Sequence, residues 1–222
     1  MDCVNGNRTV FLLRHGAVSS NHGRTYIGQV EKPLSEEGIR QALRLRVLLE
    51  HASIAAVFAS DLERSRMTAE IVTEGRELEV RFRRELREIG LGDWEGRSFA
   101  EIAGRYPDEF RARGEDLERW RPPGGESFGD LRDRVLPCFR ELLASFEGNL
   151  LIAGHAGVNR VILCEAMGMP LANLFRIGQD YGCLNAIECR DSGLRIQLMN
   201  YTPWSVTAGL ETDQVREFAV AK

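Results

Sequence analysis

An α/β domain built on a mainly parallel sheet is the fold this sequence predicts, on three observations. Short apolar runs alternate with longer amphipathic segments. The runs are continuous rather than alternating, as expected of strands covered on both faces. The longer segments carry helix start and stop signals. Residues 9–13 (TVFLL), 55–59 (AAVFA) and 149–153 (NLLIA) read as buried strands, and residues 78–82 as a weaker one. Ser35 can cap a helix whose first turn holds Glu36 and Glu37 and whose apolar side includes Ile39, Ala42, Leu45 and Leu49. Residues 62–73 form a second helix, with Gly75 beyond its end. A third spans 128–146, where Pro137 is expected to kink or divide it. A fourth spans 158–167 and stops at Gly168 and Pro170. Residues 183–189 and 194–199 return to strand-like runs. No linker-like stretch separates two cores, so 1–222 is read as a single domain.

Composition excludes several classes of function. With 43% hydrophobic and 28% charged residues, the chain is neither disordered nor fibrous. Its net charge is −4, and of its 29 cationic side chains all but Lys32 and Lys222 are arginines. A net-acidic chain without a basic stripe is a poor ligand for nucleic acid. No apolar run is long enough for a membrane span, and the run at Val10 to Leu13 is too short for a secretion signal. Five cysteines (Cys3, Cys138, Cys164, Cys183 and Cys189) include no Cys-x-x-Cys pair. They read as free, buried side chains of a reduced, cytoplasmic compartment.

Ligands of open α/β sheets bind beyond the carboxyl ends of the strands. The first strand runs into Arg14-His15-Gly16, the second into Ser60-Asp61-Leu62-Glu63-Arg64, and the third buried strand into Gly154-His155-Ala156-Gly157. Two arginines and two histidines delivered to one crevice repel one another unless an anion lies among them. Arginine forks match phosphate geometry, and a histidine surrounded by cations keeps a ring nitrogen free to attack. A phosphohistidine intermediate is the chemistry these types suggest. Cleaving a P–O bond also needs a proton donor. Residues 85–96 (ELREIGLGDWEG) offer Glu85 and Glu88 beside the apolar Ile89, Leu91 and Trp94, and the pattern leaves both carboxylates open. The sequence lacks Gly-x-x-x-x-Gly-Lys, has no Gly-x-Gly-x-x-Gly after the first strand, and has no zinc-type histidine spacing. Neither a nucleotide cofactor nor a metal is expected.

At these residues the sequence resembles the histidine phosphatase superfamily. The matching pieces are Leu12-Leu13-Arg14-His15-Gly16 with Asn21, Gly28, Pro33-Leu34-Ser35 with Gly38 and Gln41-Ala42, Ser60-Asp61-Leu62-x-Arg64 with Thr68-Ala69, Leu86-Arg87-Glu88 with Gly92-x-Trp94-Glu95-Gly96, Gly125-Glu126-Ser127, and Gly154-His155-Ala156-Gly157. The resemblance implies a three-layer, phosphoglycerate mutase-like sandwich and a phosphomonoesterase acting on a small phosphorylated metabolite. It implies His15 as nucleophile, Glu88 rather than Glu85 as proton donor, and Arg14, Arg64, His155 and Asn21 as phosphate contacts. Val18 and Glu31 depart from the residues usual in the family, which touches loop contacts and not the chemistry. Mutases of this group carry a longer, basic insert before the second histidine, whereas residues 96–125 contain no lysine. The α-ribazole and broad-specificity phosphatase branch is therefore favoured over a mutase or an inactive phosphate-binding module. Tyr26, Arg97 and Trp120, with Arg119 and Arg121, are the candidates for contacts to the rest of the substrate, which α-ribazole phosphate, phosphosugars and phosphoglycerate-type acids all fit.

Overall fold

The computed structural model describes residues 8–19 and 25–204. Its strands are β1 (Arg8–Arg14), β2 (Ala56–Ala59), β3 (Val80–Phe82), β4 (Leu150–Gly154), β5 (Leu184–Arg190) and β6 (Gly193–Tyr201). They form one sheet in the order β3-β2-β4-β1-β5-β6. The first four are mutually parallel, while β5 runs antiparallel to β1 and β6 antiparallel to β5. The mainly parallel α/β class is therefore found, with an antiparallel margin contributed by the two C-terminal strands. The three strands read as continuous apolar runs are adjacent, so their carboxyl ends open onto one crevice.

Those runs are continuous because each strand feeds two cores. Val10 and Leu12 of β1, Phe58 of β2 and Ile152 of β4 face α5 (Phe128–Ser145) and α6 (Ala156–Met167). Phe11, Leu13, Val57 and Leu151 face α1 (Glu36–Leu48) and α2 (Glu63–Thr73). Leu12 is fully buried, and truncating such a side chain to alanine typically costs about 2–5 kcal/mol. Ser35 caps α1 by accepting from the Gly38 N–H at 3.1 Å, as its position predicted. Gly168 ends α6 in the left-handed conformation, with φ 61°.

Two expectations need correction. Pro137 does not divide α5, which continues unbroken through it. Pro137 is exposed, so the Asp133 carbonyl it leaves unbonded lies on the solvent side, while Leu131, Val135, Phe139 and Leu142 bury the opposite face. Between residues 96 and 125 the chain forms two short helices that the pattern did not announce, α3 (Phe99–Arg105) and α4 (Pro107–Glu115). The segment Gly125-Glu126-Ser127-Phe128-Gly129 has the spacing of a hydrolase nucleophile elbow. Here it opens a helix instead. Ser127 caps α5 in a reciprocal box with Asp130 and is buried. Cys138, Cys164, Cys183 and Cys189 are free and buried, while Cys3 lies outside the described residues. No described helix is long and apolar enough to cross a membrane.

Candidate active site

After β1 the chain turns at Gly16, where an added Cβ would lie 2.4 Å from the Gly38 carbonyl oxygen. The turn is clamped from two helices. Gly16 N–H donates to Thr68 Oγ1 at 3.1 Å and Ala17 N–H to Gln41 Oε1 at 2.8 Å. His15 is thereby held 4% exposed, with Nδ1 2.7 Å from the Gly16 carbonyl. A carbonyl only accepts, so Nδ1 carries the hydrogen and Nε2 keeps its lone pair. Burial, reinforced by Arg14 and then Arg64, holds this imidazole well below the usual histidine range.

Arg64 enters from the first turn of α2 and is fully buried. It donates to the carbonyls of Val30 at 2.9 Å and Gly28 at 2.6 Å, while its Nε has no partner. His155, also fully buried, stands at the junction of β4 and α6 with Nε2 2.6 Å from Ser60 Oγ. Ser60 Oγ accepts from the Leu62 N–H at 3.3 Å. Its own hydrogen is satisfied by donation to His155 Nε2, which leaves Nδ1 as the protonated ring nitrogen. That Nδ1 is buried without a partner. Burial first, then Arg64 and His15, keeps His155 well below the usual range as well. The two imidazole rings lie 5.1 Å apart.

Glu88 follows a 3₁₀ turn at Arg84–Leu86 and is buried, whereas Glu85 is exposed. Its Oε1 accepts from the Ile89 N–H at 2.9 Å, and its Oε2 accepts from the Gly157 N–H at 3.0 Å in the first turn of α6. With Glu88 seated in this way, a Cβ at 157 would lie 2.3 Å from its Oε1, so any larger residue there would shift the carboxylate. The backbone around Glu88 is stapled by Arg134 of α5. Its guanidinium donates at 2.8 Å to the carbonyls of Glu85, Arg87 and Glu88 and pairs with Glu126. Arg87 grips Asp61 through two hydrogen bonds of 2.6 and 2.7 Å, which hold the Asp61 carboxyl below its ordinary value.

Arg14 lies against the Tyr181 ring, its guanidinium carbon 3.7 Å from the ring centre, and donates to the Gln179 carbonyl. Gln179 belongs to a buried amide network. Asn159 donates to Gln179 at 2.9 Å, Gln179 to Asn185 at 2.8 Å, and Asn185 to the Leu12 carbonyl at 3.0 Å. Above this floor opens a cavity of about 800 Å³ whose lining includes Arg14, Glu88, Gly157, Tyr26, Arg113 and Arg160.

The structure thus brings His15, Arg14, Arg64, Glu88 and His155 together, and Tyr26 reaches the cavity wall while stacking on Phe99 at 4.1 Å. Arg97 and Trp120 are not brought there. Arg97 donates to the Asp93 carbonyl at 2.8 Å and pairs with Glu101 at 2.9 Å, and Trp120 packs against Trp94 at 5.0 Å. Arg121 pairs with Asp130, Val18 lines the cavity, and Glu31 accepts from the Glu63 N–H at 3.0 Å. Asn21 lies outside the described residues. Sequence reasoning missed Arg134, Tyr181, Gln179, Arg113 and Arg160. Arg160 alone had a local signal, since it stands one helical turn beyond Ala156 and so shares its face.

Comparison with known proteins gives the family. The family model of the histidine phosphatase superfamily (branch 1) matches residues 10–202. The adenosylcobalamin/alpha-ribazole phosphatase of Salmonella typhimurium is 34% identical over 193 residues, covering 86% of this chain and 95% of the relative. The glucosyl-3-phosphoglycerate phosphatase of Mycolicibacterium vanbaalenii is 31% identical, covering 75% of this chain and 77% of the relative. Among solved structures, the alpha-ribazole phosphatase of Shigella flexneri superposes with a TM-score of 0.80 at 31% identity, covering 87% of this chain and 96% of that one. A mycobacterial glucosyl-3-phosphoglycerate phosphatase solved with VO3 gives a TM-score of 0.80 at 30% identity, covering 88% of this chain and 100% of that one. This chain belongs to the histidine phosphatase superfamily, branch 1, and is a phosphoric monoester hydrolase.

Proposed function

We propose that His15 Nε2 is the nucleophile, Glu88 the proton donor, and Arg14, Arg64 and His155 the phosphate-binding groups. The observation that carries this reading is the His15 Nδ1 contact to the Gly16 carbonyl, which leaves Nε2 as an unprotonated nitrogen beside two guanidiniums. In the first step Nε2 attacks phosphorus, the P–O bond to the alcohol breaks, and Glu88 gives its proton to the leaving oxygen. In the second, Glu88 takes a proton from water, the water oxygen bonds to phosphorus, and the P–N bond breaks to release phosphate and restore neutral His15. Arg14 and Arg64 offset charge on the equatorial oxygens of the loose transition state. The unpartnered His155 Nδ1–H, fixed by Ser60, supplies a further donor. Asn21 is proposed as an additional phosphoryl contact on the motif resemblance alone.

A cavity of about 800 Å³ suits a small metabolite. α-Ribazole phosphate, phosphosugars and phosphoglycerate-type acids are the classes to rank by kcat/KM, because the named relatives act on an α-ribazole and a glucosyl-phosphoglycerate ester. The direct test is His15→Ala assayed on p-nitrophenyl phosphate, with rapid acid-free quenching of labelled enzyme to trap the phosphoryl group. Turnover is expected to fall by at least about 10⁴-fold, with an acid-labile phosphoenzyme present only in the parent. Retained turnover in the variant would overturn the assignment.

A further inference from the structure

The cavity has a second cationic end. Arg113 of α4 and Arg160 of α6 both line it, with guanidinium carbons 5.8 and 5.4 Å from the centre of the Phe175 ring between them. Three other partly buried arginines have acidic partners. Arg87 holds Asp61 at 2.6 Å, Arg134 holds Glu126 at 2.8 Å, and Arg132 holds Glu118 at 2.6 Å. Arg113 makes neither a hydrogen bond nor an ion pair with any described residue, and Arg160 commits only its Nε, to the Ile177 carbonyl at 2.9 Å. The terminal nitrogens of both guanidiniums thus remain available. Burial pulls both below the ordinary arginine value, outweighing the opposing pull of Glu88 on Arg160 and of Tyr26 on Arg113. Tyr26 is 3% exposed, its hydroxyl is buried without a partner, and Arg113 lies 5.7 Å from its ring centre. The rim carboxylate Asp180 is already engaged by the Asn200 amide at 2.8 Å.

Among the described residues, two guanidiniums without an acidic partner and a phenol without a hydrogen-bond partner share one apolar wall, and an acceptor on a ligand would complete them. We infer that the outer wall formed by Arg113, Arg160 and Tyr26 is a subsite for a carboxylate carried by the phosphomonoester, so that the preferred substrates are acidic phosphate esters. The inference rests on the hydrolytic reading above. A carboxylate suits the site because it accepts from both forks and the phenol. Its single charge is less strongly hydrated than that of a phosphate dianion and so enters a wall of Phe99, Phe128 and Phe175 at less cost. A neutral sugar or an aromatic base would leave both guanidiniums unneutralised.

Matched esters test the inference: 3-phosphoglycerate against glycerol 3-phosphate, and 4-(carboxymethyl)phenyl phosphate against 4-methylphenyl phosphate. The acidic member of at least one pair is expected to have a kcat/KM at least about tenfold higher. That ratio is expected to fall toward one in Arg113→Gln and in Arg160→Gln. It should persist in Arg111→Gln, which alters an exposed arginine of the same helix paired with Asp108. Equal use of both members, a preference for the neutral aromatic ester, or a ratio unchanged in the two variants would overturn the subsite and leave the phosphatase reading intact. Absence of turnover on all four esters would sink both.

Discussion

The two ends of the cavity are built on opposite plans. At the inner end, Arg64 is tied to two carbonyls, His15 to one, Glu88 to two N–H groups and Arg14 to a carbonyl and an aromatic face. At the outer end, Arg113 has no such bond with any described residue and Arg160 has one. A reacting phosphoryl group must be met in a single geometry, because a displacement near 1 Å can cost a hundredfold in rate. The remainder of the ester needs only to be held. Under the proposed roles, rigidity is concentrated where bonds would change, and unspent hydrogen-bonding capacity is left where the rest of the ester would be read.

That contrast can be broken at either end, and the inner end should respond most. Arg64→Gln is expected to lower kcat/KM by about 10²- to 10³-fold on every ester alike, since it removes transition-state charge stabilisation common to all of them. A loss confined to acidic esters would erase the distinction between the ends. Gly157→Ala is expected to lower kcat by up to about 10²-fold with little change in KM, because the new methyl, 2.3 Å from Glu88 Oε1, would push the carboxylate out of its seat. An unchanged kcat would detach Glu88 from the chemistry.

A smaller effect concerns stability. His15 and His155 stay neutral in the fold well below the pH at which the unfolded chain takes up protons, near 6.5. Stability is therefore fully present above that pH and declines as pH falls below it. The slope is up to about 1.4 kcal/mol per pH unit for each imidazole, until the folded groups themselves protonate. Urea midpoints at pH 7.5, 6.5 and 5.5 measure this, and a flat profile between the last two would contradict it.

Much of the inner end was legible because its signals are local. A strand covered on both faces is continuously apolar, so β1, β2 and β4 declared themselves, and the residues that follow them are the site. Glu88 and Glu85 could not be separated by pattern. Their difference is a buried seat against Gly157, 69 positions away, and the family motif supplied what local sequence did not. The outer end was illegible for the same reason. What singles out Arg113 is the lack of an acidic or hydrogen-bonding partner among the described residues, which depends on every element packed around it. Arg97 and Trp120 were misplaced although a clue existed, since Glu101 lies one helical turn from Arg97 and offered it a partner. Pro137 misled because its effect depends on which way the helix faces.

The staple made by Arg134 separates responsibilities along the chain. His15, the proposed nucleophile, follows β1 of the sheet, while Glu88, the proposed proton donor, is stapled to α5, and the segment carrying α3 and α4 is bonded near both of its ends. Gly96 N–H bonds the Tyr26 carbonyl at 2.8 Å, and Glu126 N–H bonds the Gly90 carbonyl at 2.8 Å. Arg113 sits inside that stretch, whereas Tyr26 and Arg160 sit outside it, so a change at Arg113 alone can alter what the cavity wall offers a ligand while His15 and Glu88 stay on their separate mounts.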